Sequence, residues 1–118
     1  MAVSNTTQLT GAAVVIDTVV AAAAVVAKAS SAVLHALELD NSAVAAVTYF
    51  KLYNNAAPVV GTTAPDAIIM IPANATISVA IPGGVTFATA LSYVAVTTGG
   101  TAGVTATTGA FALKLIYV

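Results

Sequence analysis

Apolar and polar residues alternate along much of the second half of the chain, which is typical of strands that bury one face. The clearest segment is Ala75–Ile81, where isoleucine, valine and isoleucine occupy every second position. Pro82–Gly84 follows, and we expect the strand to end there because proline removes a donor and glycine favours a tight turn. Residues 44–53 and 111–118 alternate in the same way.

Three further segments complete this half of the chain. Leu91–Thr97 predicts another strand. Ala67–Ile71 is a continuous apolar run between two prolines, which is too short for a helix and typical of a strand buried on both faces. Residues 97–109 are polar and rich in glycine and threonine, so we expect a surface loop that is either mobile or ordered against a partner.

The first third of the chain is compatible with two structures. Residues 14–37 are rich in alanine, so propensity alone permits a helix. We favour strands, because Val33–Leu39 alternates with its odd-numbered positions on one face. Ala29–Ser31 and Asp40–Ser42 have the composition of turns on either side of that strand.

About seven short strands without a long helix predict one all-β domain, an antiparallel β-sandwich or jelly roll. No internal repeat or change in composition divides the 118 residues. We place an extended N-terminal arm at residues 1–12 and the β-sandwich domain at residues 13–118. A polar terminus of this kind becomes ordered only where the domain body or a neighbour holds it.

The chain carries little charge, with three basic and four acidic residues and a hydrophobic fraction of 59%. Ordinary soluble domains are about a quarter charged, and that charge keeps their surfaces hydrated and apart. We therefore expect this surface to pack against other protein. So few basic residues do not favour nucleic acid as a partner. The longest apolar run, Val19–Ala27, is far shorter than a membrane span, so no membrane partner is expected.

No arrangement of residues predicts catalysis, and we expect the protein not to be an enzyme. His35 lies in mid-strand without an identifiable nucleophile and orienting acid. Glu38 and Asp40 would share a strand face, as calcium ligands can, but Asp40 begins a turn in which aspartate is common. Asp17, within an apolar stretch, predicts an edge or interface position. Neither a metal nor a cofactor site is predicted, and cysteine chemistry is excluded because the chain has no cysteine.

Five segments in the middle of the chain follow one another in a distinctive order. They are YFKLYN at Tyr49–Asn54, VGTTAPD at Val60–Asp66, IMIPA at Ile69–Ala73, IPGGVTF at Ile81–Phe87 and LSY at Leu91–Tyr93. This order resembles that of small β-sandwich virion proteins of tailed bacteriophages, including cyanophages, over roughly residues 33–97. The resemblance implies a structural protein without catalytic residues, often a decoration or cement protein that binds between capsomers as a trimer.

We therefore expect a virion protein on the capsid surface that contacts the major capsid protein or other virion proteins and forms a homo-oligomer, with a trimer favoured. The candidate interface residues are Val3, Asn5 and Leu9 on the arm, Tyr49, Tyr53 and Tyr93 on strands, and Thr101 and Val104 in the glycine-rich loop. A tail, neck or fibre module is the first alternative. The second is a carbohydrate-binding module whose tyrosines stack on sugars, although packing in the core or on a sheet is the commoner role of such tyrosines.

Overall fold

The computed structural model describes residues 11–118, which form eight strands and no helix. The strands are β1 (Ala13–Asp17), β2 (Val25–Lys28), β3 (Ala32–Asp40), β4 (Thr48–Tyr53), β5 (Ala67–Ile71), β6 (Thr76–Phe87), β7 (Leu91–Val96) and β8 (Ala112–Tyr117). Three candidate interface residues of the arm, Val3, Asn5 and Leu9, lie outside the described residues.

Two antiparallel sheets of four strands form a sandwich. Sheet 1 has the order β1-β8-β3-β6, and sheet 2 has the order β2-β7-β4-β5. The pairs are nested, since β4 pairs with β5, β3 with β6, β2 with β7 and β1 with β8. This is the pairing of one long hairpin that has been folded over into two layers. Eight strands in this arrangement form a jelly roll, so the predicted all-β sandwich is confirmed.

The hydrophobic core lies between the two sheets and is built from alternate positions of each strand. In β8, Leu113 and Leu115 point inward and are buried, while the side chain between them is exposed. The ring centroid of Phe50 lies 5.8 Å from that of Tyr93 and 6.1 Å from that of Phe111. Aromatic rings at these separations add a favourable interaction to the apolar area that they bury.

The predicted strands are largely present. β5 covers the residues predicted for it, and β7 ends one residue before the predicted Thr97. Within residues 14–37, β2 and the first part of β3 are strands, so the helical alternative is wrong. Alanine favours a helix by only a fraction of a kilocalorie per residue, and here burial between two sheets outweighs that preference.

The expected strand end at Pro82–Gly84 is wrong, because β6 continues through these residues to Phe87. The three residues form part of a bulge, in which residues 81–84 of β6 lie opposite the single residue His35 of β3. Both glycines have a positive φ, 79° and 73°, which glycine adopts without steric cost. The bulge is tolerated because β6 is an edge strand with a free outer side.

The same bulge changes which side chains of β3 are buried. Ala32 and Leu34 are buried before it, and Leu37 and Leu39 are buried after it. The register of β3 with both of its neighbours shifts between Leu34 and Ala36. The prediction that the odd-numbered positions share one face is therefore wrong for this strand, because a bulge reverses the alternation.

β5 is an edge strand, and the prediction that it is buried on both faces is wrong. It pairs only with β4. Met70 is 60% exposed on its outer side, whereas Ile71 is fully buried. A short apolar run does not reveal by periodicity whether it is buried on one face or on two.

A buried asparagine fixes the corner between β3 and β4. Asn41 Nδ2 donates to the carbonyl oxygens of Ala46 (3.0 Å) and Pro72 (2.9 Å), and the Thr48 hydroxyl donates to Asn41 Oδ1 at 2.7 Å. The backbone N–H of Asn41 donates to the carbonyl of Ala75 at 2.8 Å. Because Ala46 lies in the β3–β4 connection and Pro72 begins the β5–β6 turn, the Asn41 side chain ties two connections of the jelly roll together.

We expect Asn41→Ala to lower the free energy of unfolding by about 2–3 kcal/mol, since buried partners of the amide would lose their hydrogen bonds. Asn55→Ala is the matched control, because Asn55 accepts one exposed hydrogen bond from the Ala57 N–H (2.7 Å). Asn55→Ala should lower the free energy of unfolding by less than about 1 kcal/mol. Urea unfolding measures both values, and equal losses would contradict the structural role of Asn41.

Candidate interaction surfaces

The outer faces of the two sheets differ in exposure. On sheet 2 the outward side chains of Lys51, Tyr53 and Val94 are fully buried. On sheet 1 the outward side chains of Val14 and Ile16 are 58% and 64% exposed. Loops therefore cover the outer face of sheet 2, whereas the described residues leave the outer face of sheet 1 bare.

The loop formed by residues 97–111 lies on sheet 2 and is held there by Lys51. The Lys51 ammonium donates to the carbonyl oxygens of Gly100 (2.6 Å) and Gly103 (2.8 Å). Burial lowers the pKa of Lys51, because the charged form loses its hydration. The predicted surface loop is present and most of its residues are exposed, but it is held against its own sheet.

Tyr49 and the two exposed loop candidates lie at this covered face. A Cβ at Gly99 would lie 3.2 Å from ring carbons of Tyr49, so the half-buried ring rests against the loop backbone. A Cβ at Gly61 would lie 2.6 Å from Val104 Cγ1, which shows that the β4–β5 and β7–β8 loops touch. Thr101 and Val104 remain exposed on the outside of the loop.

The structure corrects the assignment of Tyr53 and Tyr93 to an interface, because both side chains are buried. The Tyr93 hydroxyl donates to Asp17 Oδ2 at 2.9 Å and so joins β7 to the end of β1. Among residues 11–118, the Tyr53 hydroxyl has no hydrogen-bond partner. The three tyrosines therefore form no exposed platform for a sugar ring. Asp17 lies on edge strand β1, as predicted.

The outer face of sheet 1 carries two rows of side chains that cross all four strands in the order β1, β8, β3, β6. The first row is Val14, Ile116, Ala36 and Ala80, and the second is Ile16, Lys114, Glu38 and Ser78. We call these eight residues the open face. Its bulky apolar side chains stand on β1 and β8, and its small side chains lie on β3 and β6.

The small side chains leave a depression on the open face. Its volume is about 340 Å³, and its lining includes Ala36, Ser78 and Ala80, with Ile116 and Lys114 at one side. The open face therefore has a ridge at one end and a hollow at the other. Its only charges are one lysine and one glutamate, which lie directly opposite each other on β8 and β3.

The residues with potential for chemistry do not converge. The Ser42 hydroxyl and N–H and the Thr76 hydroxyl donate to Asp40, which lowers the pKa of that carboxyl. Glu38 lies on the open face, and His35 packs beside Gly84 in the β6 bulge. Within residues 11–118, no group of three or more His, Asp or Glu side chains is placed to hold a metal ion.

Comparison with protein-family models and with curated proteins gave no match. No helix in the described part of the chain is long and apolar enough to cross a membrane. The functional interpretation therefore depends on the fold and on its surfaces.

Tyr53→Phe and Tyr93→Phe remove the same atom with opposite expected results. Tyr53→Phe should raise the free energy of unfolding by up to about 1 kcal/mol, because it removes a buried hydroxyl without a partner. Tyr93→Phe should lower it by about 1–2 kcal/mol, because Asp17 loses a hydrogen bond. Chemical denaturation at pH 7 compares the two variants, and a loss in both would contradict the isolated state of the Tyr53 hydroxyl.

The free energy of unfolding of the same variants should also depend on pH. Burial raises the pKa of Tyr53, and burial together with Asp17 raises the pKa of Tyr93. Above about pH 10 the tyrosines of the unfolded chain ionise first, so stability is full below that pH and falls as pH rises further. This alkaline loss should be smaller in Tyr53→Phe than in the wild-type protein.

Lys51→Met keeps an apolar stem on β4 but removes both hydrogen bonds to the loop. We expect amide hydrogen exchange in residues 98–105 to accelerate at least about tenfold, because the loop opens locally without the ammonium. Lys114→Met is the matched control, since Lys114 is exposed on the other sheet. Unchanged exchange in Lys51→Met would show that other contacts hold the loop.

Proposed function

We propose that this protein is a structural subunit of a tailed-bacteriophage virion, of the decoration or cement type that binds the capsid surface between capsomers. The observation that carries the proposal is the open face, an apolar sheet surface that the described residues do not cover. Exposed apolar surface of this extent, on a domain with so few charges to keep it hydrated, favours contact with other protein.

The fold adds support of a weaker kind. Jelly rolls are frequent in viral capsid proteins and in lectins, although a fold alone does not determine a function. The resemblance covers roughly residues 33–97, a range that contains β3 to β7. Two of the four strands of the open face, β1 and β8, lie outside that range.

The exposed surfaces also help to distinguish the two alternative functions, a carbohydrate-binding module and a tail, neck or fibre module. A carbohydrate-binding module would need exposed aromatic rings, and of the three candidate tyrosines only Tyr49 is not fully buried. A tail, neck or fibre module needs the same fold and the same exposed surface in fewer copies. In either virion role, the N-terminal arm and the loop residues Thr101 and Val104 would contact the major capsid protein or another virion protein. The open face would then be available for contact with a further copy of the chain.

Copy number tests the proposal directly. Quantitative mass spectrometry of purified particles compares the amount of this chain with that of the major capsid protein. A ratio near one, or a simple fraction set by the capsid symmetry, is expected for a decoration protein. A few copies per particle would favour the tail, neck or fibre module, and absence from the particle would overturn a virion role.

The contribution of the arm and the loop can be separated from folding. We expect deletion of residues 2–12, and separately Thr101→Arg, to weaken binding to capsids while the thermal unfolding temperature stays the same. Thr89→Arg is the matched control, because Thr89 is exposed in the β6–β7 turn, away from that loop. Unchanged capsid affinity in the deletion variant would remove the arm from the interface, and unchanged affinity in Thr101→Arg would remove the loop.

A further inference from the structure

We infer that the open face binds the open face of a second copy of this chain, about a twofold axis that runs along the strands between β8 and β3. The inference concerns the isolated protein and does not depend on the proposed virion role. It rests on the pattern of the two rows, which is complementary to itself under this one operation. A twofold contact of this kind differs from the trimer that the resemblance implies.

The axis sets which strands face each other. Rotation by 180° about an axis parallel to the strands places β1 of one copy over β6 of the other, and β8 over β3. Each row then lies over the same row of the second copy in the reverse order. Aligned sheets pack at about 30° to each other because of their twist, so the axis would be tilted from the strands by about half that angle.

Bulky side chains meet small ones in this arrangement. Val14 lies over Ala80 of the second copy, and Ile16 lies over its Ser78. Ile116 lies over Ala36. The ridge on β1 and β8 therefore enters the hollow on β3 and β6, and the twofold axis repeats each contact. Interdigitation of large and small side chains is how two sheet faces approach closely.

The charges match under the same rotation. Lys114 of one copy lies over Glu38 of the other, and Glu38 lies over Lys114. Both charges of the open face thus gain an opposite partner, which gives the contact a defined register. The apolar side chains of the first row lie on one side of both pairs, and Ala112, Asp40 and Thr76 lie on the other side.

The alternative axis, which lies in the same plane but perpendicular to the strands, is unfavourable. It places β1 over β1, so Val14 meets Ile16 of the second copy, while the small side chains of β6 face one another across a gap. Lys114 would lie over Ile116 and Glu38 over Ala36, which leaves both charges against apolar groups. The pattern of the rows therefore selects one twofold arrangement.

The size of the face sets the expected strength. Four strands spaced about 4.8 Å apart make a face roughly 20 Å wide, and two rows about 7 Å apart make it roughly 14 Å high. This area of ~280 Å² is well below the ~800 Å² that each partner buries in a standard interface. We therefore expect a weak dimer, with a dissociation constant of roughly 10–100 μM. Sedimentation equilibrium of the wild-type protein over a concentration series should show a mass that doubles.

The decisive experiment uses two charge reversals. Lys114→Glu places glutamate over Glu38 at both contacts, and Glu38→Lys places lysine over Lys114 at both contacts. Each variant alone should dimerise at least about tenfold more weakly than the wild-type protein, because like charges face each other. In an equal mixture, the two acidic positions of one variant face the two basic positions of the other, so a heterodimer should form with wild-type affinity.

The mixture separates contacts between copies from effects within one copy. Lys114 and Glu38 are also neighbours within each sheet, so each variant carries a pair of like charges of its own whether or not it is mixed. Mixing leaves that pair unchanged, and recovery of the dimer therefore reports only a contact between copies. Native mass spectrometry with one variant labelled with ¹⁵N identifies the heterodimer.

Two controls make the result specific. Lys28→Glu makes the same charge change on β2 of sheet 2 and should dimerise as the wild-type protein does. Ala80→Phe fills the hollow without changing a charge and should also weaken the dimer at least about tenfold, which keeps the test valid if a charge reversal prevents folding. The inference is overturned if the wild-type protein is monomeric or forms an odd-numbered oligomer. It is equally overturned if the face variants keep wild-type affinity, or if the mixture does not associate.

Discussion

The buried ammonium group of Lys51 needs oxygen partners inside the protein. The way it obtains them explains why loops cover the outer face of sheet 2 but not the outer face of sheet 1. The partners come from the carbonyls of Gly100 and Gly103, so the loop of residues 97–111 must lie on sheet 2. That loop and the β4–β5 loop meet over the sheet. Val60 of the β4–β5 loop and Ala22 of the β1–β2 connection pack against the buried cluster of Tyr53, Val94 and Val96. Because the long loops are committed to sheet 2, the described part of the chain has nothing comparable to cover sheet 1.

The open face has features that would make contact through an exposed apolar surface specific. Val14, Ile16 and Ile116 give it area, but area alone would promote association in any orientation. The small residues on β3 and β6 and the single pair Lys114 and Glu38 restrict the ways in which two faces can match. In a chain with so few charges, the position of each one has a large effect on the choice of partner.

Most of the strands could be predicted from the sequence. Which sheet face is covered by loops and which is exposed could not. Alternation identified β8, in which the exposed Lys114 lies between the buried Leu113 and Leu115. β7 is buried at all six positions, so only its apolar composition indicated a strand. Alternation failed at His35 and at Pro82–Gly84, because a bulge is a property of two paired strands and not of one segment. The interface assignment of Tyr53 and the open face depend on which sheet the loops cover, and that is determined by tertiary contacts such as those of Lys51.

The nested pairing of the jelly roll has a consequence for the order of events during synthesis. β8 lies in the middle of sheet 1, between β1 and β3, yet it is the last of the eight strands to leave the ribosome. β1 cannot pair with β8 until nearly the whole domain has been synthesised, and pairing between segments so distant in sequence is slow. Until β8 is inserted, neither row of the open face is continuous and Lys114 is absent from its centre. An unfinished chain therefore cannot present the open face that a finished chain does.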